Sequence, residues 1–230
     1  NSIIMKFKKN YFCNMKNCLL KFIYLILPVF FVISCDTPKS LTNKGNKFAE
    51  KKLYQEANIQ YMKALNKKEN FIDAKEGLKS SGQKEVNTYL DDFFKTKNFG
   101  DIKAAIYHYR NANKAKSLIE SYKIDIDIPI SYTNDYNNLV NDYVNDIYTL
   151  AMDMLEQENF SESEKLLKEI ALLKPSYKDV DNLKNIATFE PIYRKANEFL
   201  ELEKFRSAYY NYDKIPDSYQ ETKQRKNIAL

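Results

Sequence analysis

Apolar residues recur in this chain at a long, fixed spacing, and that recurrence restricts its fold more than any other feature. Tyr54, Phe99, Phe160 and Phe205 each stand in a short polar break before a new apolar pattern, at steps of 45, 61 and 45 residues. A 16-residue insertion in the middle step makes the period 45 throughout. Thirteen residues before these anchors stand Leu41, Val86, Ile147 and Ile192; nine before, Gly45, Leu90, Ala151 and Ala196; six before, Phe48, Phe93, Met154 and Phe199. Three after come Ala57, Ile102, Ser163 and Ala208; seven after, Tyr61, Ile106, Leu167 and Tyr212; ten after, Ala64, Tyr109, Ile170 and Ile215. Only Gly45 and Ser163 break the apolar columns, in a chain that is 44% apolar overall. The offsets are threes and fours, which align side chains on one helical face. One step of six crosses the polar break. Each unit therefore reads as two helices buried face to face.

The first unit, Leu41, Gly45, Phe48, Tyr54, Ala57, Tyr61 and Ala64, resembles the tetratricopeptide motif of alternating large, small and aromatic positions. Pro175 falls at that family's closing proline. The resemblance implies small residues where paired helices touch and aromatics filling the groove beside them. Three features depart from the family: Glu69 where the first unit should close on proline, bulky Ile102 and Tyr109 at small positions, and a period longer than the usual 34 or so residues. The surplus reads as a third helix per unit, over 71–78, 115–122, 176–187 and 218–230. Pro191 suits the first turn of a following helix. The expectation is all-α: a right-handed helical-repeat solenoid of four tetratricopeptide-like hairpins over 41–230, with an extra helix per unit. The insertion, near 124–136, alternates strictly from Ile124 to Ile130, which fits either a short strand or, with Pro129, a loop.

The N-terminus carries a different signal. Translation from Met5 or Met15 would start a segment with Lys16 and Lys21 followed by an apolar run over 22–33. That run is too short for a span of about 20 residues and has the length of a signal-peptide core. It ends in Val32, Ile33, Ser34 and Cys35, which resembles a bacterial lipobox. The resemblance implies transfer of a diacylglyceryl group to the Cys35 thiol, cleavage between Ser34 and Cys35, and acylation of the new amine. Small Ser34 admits the peptidase and Cys35 supplies the nucleophile. Two or more acyl chains anchor stably where one is marginal. Residues 1–34 are then a lipoprotein signal peptide and 35–40 a lipidated tether, placing the chain at the bacterial cell envelope, on the outer membrane in a Gram-negative cell.

Charge and chemistry narrow the function. The net charge of +5 comes entirely from five lysines in residues 1–34, leaving the remainder neutral. A neutral domain has no general attraction for phosphate backbones, which argues against nucleic acid. Cleavage leaves Cys35 as the one thiol, so neither a disulfide nor a cysteine metal site is expected. His108, the single histidine, lies about 110° from the apolar stripe of its helix at roughly 100° per residue, a boundary or solvent position without partners for catalysis. No glycine-rich phosphate loop is present, and the carboxylates fall on polar faces. The expectation is therefore no enzyme, no cofactor and no metal. Tyr107, Tyr209 and Tyr210 fall outside the core columns; they suit either a partner interface or packing against a neighbouring helix. The chain reads as a membrane-anchored scaffold for protein partners, with an envelope assembly factor or a glycan-binding lipoprotein of an uptake complex as alternatives.

Overall fold

The computed structural model describes residues 36–230. Among the described residues the regular structure is helical throughout, with no strand. In chain order the helices are α1 (Pro38–Glu50), α2 (Tyr54–Lys67), α3 (Ile72–Asn98), α4 (Ile102–Glu120), α5 (Ile130–Glu156), α6 (Phe160–Leu173), α7 (Val180–Glu201), α8 (Phe205–Tyr212) and α9 (Thr222–Ile228). Thr37 caps α1 by accepting the Ser40 N–H, and Pro38 stands at its first turn, where a missing N–H costs nothing. Residues 38–40, expected as tether, are thus the first turn of α1. Ser34 and Cys35 lie outside the described residues.

Four of the turns are the same turn. Lys52, Gly100, Glu158 and Glu203 each take left-handed backbone angles, with φ of 60°, 78°, 59° and 55°. Each donates its N–H to the carbonyl three residues back, and the following N–H reaches back five residues: Leu53 to Phe48, Asp101 to Thr96, Asn159 to Met154, Lys204 to Phe199. This doubled closure satisfies two orphan carbonyls at the helix end. The next helix starts two residues after the left-handed one, at Tyr54, Ile102, Phe160 and Phe205. The steps are therefore 48, 58 and 45 residues, and Phe99 is a turn residue, 88% exposed. The spacing of 45 between Tyr54 and Phe99 misses the second hairpin by three residues because a three-residue slip keeps the same helical face. With Ile102 as anchor, the residue three further on is Ala57, Ala105, Ser163 or Ala208, all wholly buried. Ile102 and Tyr109 then no longer occupy small positions. Ser163 tolerates the core because its hydroxyl donates to the Ala151 carbonyl at 2.8 Å.

Two of the expected third helices run on into the helix that follows, and the one expected over 115–122 is no separate element, because Ile102–Glu120 is one continuous helix. α3 continues without a break from 72 to 98, and α7 from 180 to 201 with Pro191 inside it. Pro191 does not open a helix; it removes the N–H that would bond the Ala187 carbonyl, and the surrounding helix continues past it.

Contacts divide the described chain into two compact units: 36–88 with 112–127, and 89–111 with 128–230. In the first unit, α1, α2 and the start of α3 bury Leu41, Ala57, Tyr61, Ala64, Leu65 and Leu78. Asn58 is buried with them; its amide donates to Glu85 at 2.6 Å and its carbonyl accepts from Ser81. The alternating segment forms no strand. Ile124 and Ile126 turn inward while Asp125 and Asp127 face solvent, as alternation requires, but the partner is a side chain. The Gln83 amide accepts the Asp127 N–H and donates to its carbonyl, at 2.9 and 2.8 Å, in place of a neighbouring strand.

In the second unit, α5 buries Val140, Val144, Ile147 and Ala151 on one face against Leu167 and Ile170 of α6 and Leu183 and Ala187 of α7. Each large aliphatic contributes about 1.5–3 kcal/mol by leaving water. A second cluster joins Tyr193 and Ala196 of α7 to Ala208 and Tyr212 of α8, closed by Ile215 and Ala229.

Candidate functional site

The three tyrosines outside the core columns divide. Tyr107 is 63% exposed and Tyr210 54% exposed, whereas Tyr209 is half-buried and packs on the Tyr193 cluster, with the Lys226 ammonium 5.9 Å from its ring. Tyr107 is the sixth residue of α4 and Tyr210 the sixth of α8, so the two exposed rings hold one position in two hairpins. The same position in α2 is Ile59, 40% exposed, and in α6 is Lys165. Each exposed ring is propped from one side. Tyr107 meets His108 edge-on at 5.6 Å, and Tyr210 meets Tyr209 at 6.1 Å and the Arg206 guanidinium at 5.7 Å. A held ring loses little rotamer entropy on binding, which suits a contact residue. Further apolar side chains stand out near the turns: Leu53, Phe99, Leu202 and Phe205.

His108 is half-buried, and its Nδ1 has no hydrogen-bond partner. No group of three or more His, Cys, Asp or Glu side chains among the described residues is placed to hold a metal.

Two carboxylates are held in opposite ways. Burial pushes the Glu85 carboxyl above its ordinary range, against the hydrogen bond from Asn58, with Glu56 adding repulsion. Burial also opposes the charge of Glu190, but donors prevail: Arg194 at 2.9 Å, Tyr219 at 2.7 Å and Gln220 at 2.6 Å hold it below its ordinary range. In return, burial and the Glu190 carboxylate push the Tyr219 hydroxyl up to about 12. Tyr219 meets Phe189 and Tyr193 edge-on, so this network fastens the segment after α8 onto α7. Its groups already satisfy one another, which makes it a brace.

A ring pair that could receive a cation is likewise filled from within. Lys178 lies 4.1 Å from the Tyr148 ring and 5.0 Å from Tyr177, and the Tyr148 hydroxyl donates to Asp179 at 2.7 Å.

Of the sequence-derived site residues, the structure leaves Tyr107 and Tyr210 open and turns Tyr209 inward. Tyr209 stands three residues before buried Tyr212, and that spacing alone could have placed it beside the core face. Among the described residues, no helix is long and apolar enough to cross a membrane. No protein-family model matches the chain, and no curated protein matches it.

Proposed function

We propose that this chain is a bacterial lipoprotein, cut before Cys35 and acylated there, whose tetratricopeptide-like hairpins hold protein partners at the envelope membrane without catalysing a reaction. The observation that carries the binding part is the pair of propped, exposed rings, Tyr107 and Tyr210, at one position in two hairpins. Aromatic side chains of this kind are the commonest strong contributors to protein interfaces. The repeat reading is supported by the four identical turns and by the wholly buried small residue three positions into each following helix. The anchor reading rests on the sequence, where Val32, Ile33, Ser34 and Cys35 end an apolar run of signal-peptide length.

Two measurements test it. Cells fed an alkyne fatty acid should label the wild-type chain and leave Cys35→Ala unlabelled; equal labelling refutes the anchor. The chain purified from detergent-solubilised membranes should bring down a specific protein. The double variant Tyr107→Ala with Tyr210→Ala should weaken that capture about tenfold or more, the scale of a lost anchor residue. Lys165→Ala, at the same position of the third hairpin, should leave it unchanged. Undiminished capture by the double variant removes the tyrosines from the account.

A further inference from the structure

The neutrality of the region after Cys35 conceals a polarity. Residues 36–68 carry eight lysines against Asp36, Glu50 and Glu56, a net charge of +5. Residues 69–230 therefore carry −5.

The lysines are gathered. Ser40, Asn43, Lys44 and Lys47 follow one another at helical spacing on α1 and, with Thr37 and Lys39, line a shallow pocket of about 450 Å³. Lys44 pairs with Asp36 at 2.7 Å. Lys63 and Lys67, on the last turns of α2, act on the same carboxylate and with Lys44 hold it below its ordinary range. Cations of both helices, Lys44, Lys67 and Lys63, thus act on Asp36, the residue next to Cys35. All five lysines, Lys39, Lys44, Lys47, Lys63 and Lys67, are exposed.

We propose that this face, formed by Lys39, Lys44, Lys47, Lys63 and Lys67, docks on the headgroups of anionic phospholipids beside the anchor. The inference rests on acylation at Cys35, which brings Asp36 within one residue of the bilayer surface. Charge complementarity names the occupant: an anionic leaflet attracts clustered lysines within a Debye length, about 8 Å in physiological salt, and repels the acidic remainder of the chain. The tether is too short to carry the Asp36 end of the face beyond that range, since one extended residue spans at most about 3.6 Å. The anchor fixes the chain to the membrane, and the lysines fix which end of the first hairpin faces it.

Lysine footprinting on the full chain tests this. The chain is reconstituted on vesicles of phosphatidylcholine alone or mixed with phosphatidylglycerol, then treated with a membrane-impermeant amine reagent and analysed by mass spectrometry. On the mixed vesicles the five lysines should react about threefold to sevenfold more slowly, the factor by which a surface potential of about −30 to −50 mV suppresses free amine. Lys165, Lys168 and Lys204 should not change, and high salt should erase the difference. Slowing of all lysines alike, or of none, overturns the proposal. Equal protection by free glycerol 3-phosphate would assign the face to a small anion, and protection by polyglutamate but not by vesicles would assign it to an acidic protein segment; either overturns it. The mass of Cys35, read in the same experiment, separates the two claims. An unacylated cysteine refutes the anchor, while the footprint of chain simply mixed with vesicles still decides the face.

Discussion

The first and last hairpins close on the same side-chain latch, built in two ways. Tyr61 in α2 and Tyr212 in α8 stand at one position, and each hydroxyl donates to an asparagine fifteen residues earlier, Asn46 or Asn197. Around Tyr61 the room comes from missing side chains. A Cβ on Gly45 would stand 2.6 Å from the ring, and one on Gly77 2.5 Å. Around Tyr212, Ala196 takes the place of Gly45, and the ring is met edge-on by Tyr193 at 6.0 Å. Asn197 also accepts from Arg225 at 3.3 Å. The first hairpin is thus held by close backbone approach and should be sensitive to added volume. The last is cross-braced by side chains and should tolerate the loss of any one of them.

The largest effect expected is one that both hairpins share. Ala57→Arg and Ala208→Arg each force a long cation into a site with no exposure, parting the helices or burying an unpaired charge. Each should cost on the order of several kcal/mol, against a change within about 0.5 kcal/mol for Lys204→Ala at the turn. Hydrogen exchange should show the damage staying local, with Ala208→Arg stripping protection from 192–230 and sparing 41–65. A mild Ala208→Arg would contradict the register in which Ala208 and Tyr212 face α7.

Volume separates the hairpins next. Gly45→Ala and Gly77→Ala should each destabilise by about 1–3 kcal/mol, although alanine is the better helix former by about 1 kcal/mol. Denaturant titration measures this directly, and a stabilised Gly45→Ala would show that Tyr61 moves aside freely. Removing the latch hydroxyls should cost less. Tyr61→Phe should lose about 0.5–1.5 kcal/mol, and Tyr212→Phe less, because Arg225 still satisfies Asn197.

The smallest contrast is in pH. The raised Glu85 carboxyl contributes stability that is fully present below its unfolded value and is lost as pH rises through the folded one. Glu85→Gln should therefore raise Tm at neutral pH and match wild type in acid. Glu190, held low, contributes stability above its unfolded value that disappears as pH falls through the folded one, so Glu190→Gln should lower Tm at neutral pH. Tm profiles of the two variants moving in the same direction would erase this difference between the hairpins.

The helices and most of the core were legible in the sequence because threes and fours are enough to define a buried face. Leu41, Tyr61, Leu167 and Tyr212 could be placed from spacing alone. Register is not, since a slip of three preserves the face; Gly100, the one glycine at a break, marks where the chain turns left-handed. The alternation from Ile124 to Ile130 fits a strand or a loop equally; only Ile124 and Ile126 turn inward, and the Gln83 amide that pairs with Asp127 lies 44 residues away, where nothing local announces it. The latch asparagines were written at equal distances from their tyrosines, yet a polar residue on an exposed edge belongs to no apolar column. The outward rings of Tyr107 and Tyr210 were visible only as residues that the columns left over.

Those two rings also offer the most direct test of the whole account. A photoreactive amino acid placed at 107, 210 or 165 in living cells reports what each of these equivalent positions touches. Positions 107 and 210 should cross-link to the same protein and 165 should not, with Cys35→Ala lowering the yield because the chain stays an uncut, unacylated precursor. Absence of any cross-link at 107 and 210, or the same products from all three positions, would contradict a scaffold that holds its partner through these tyrosines.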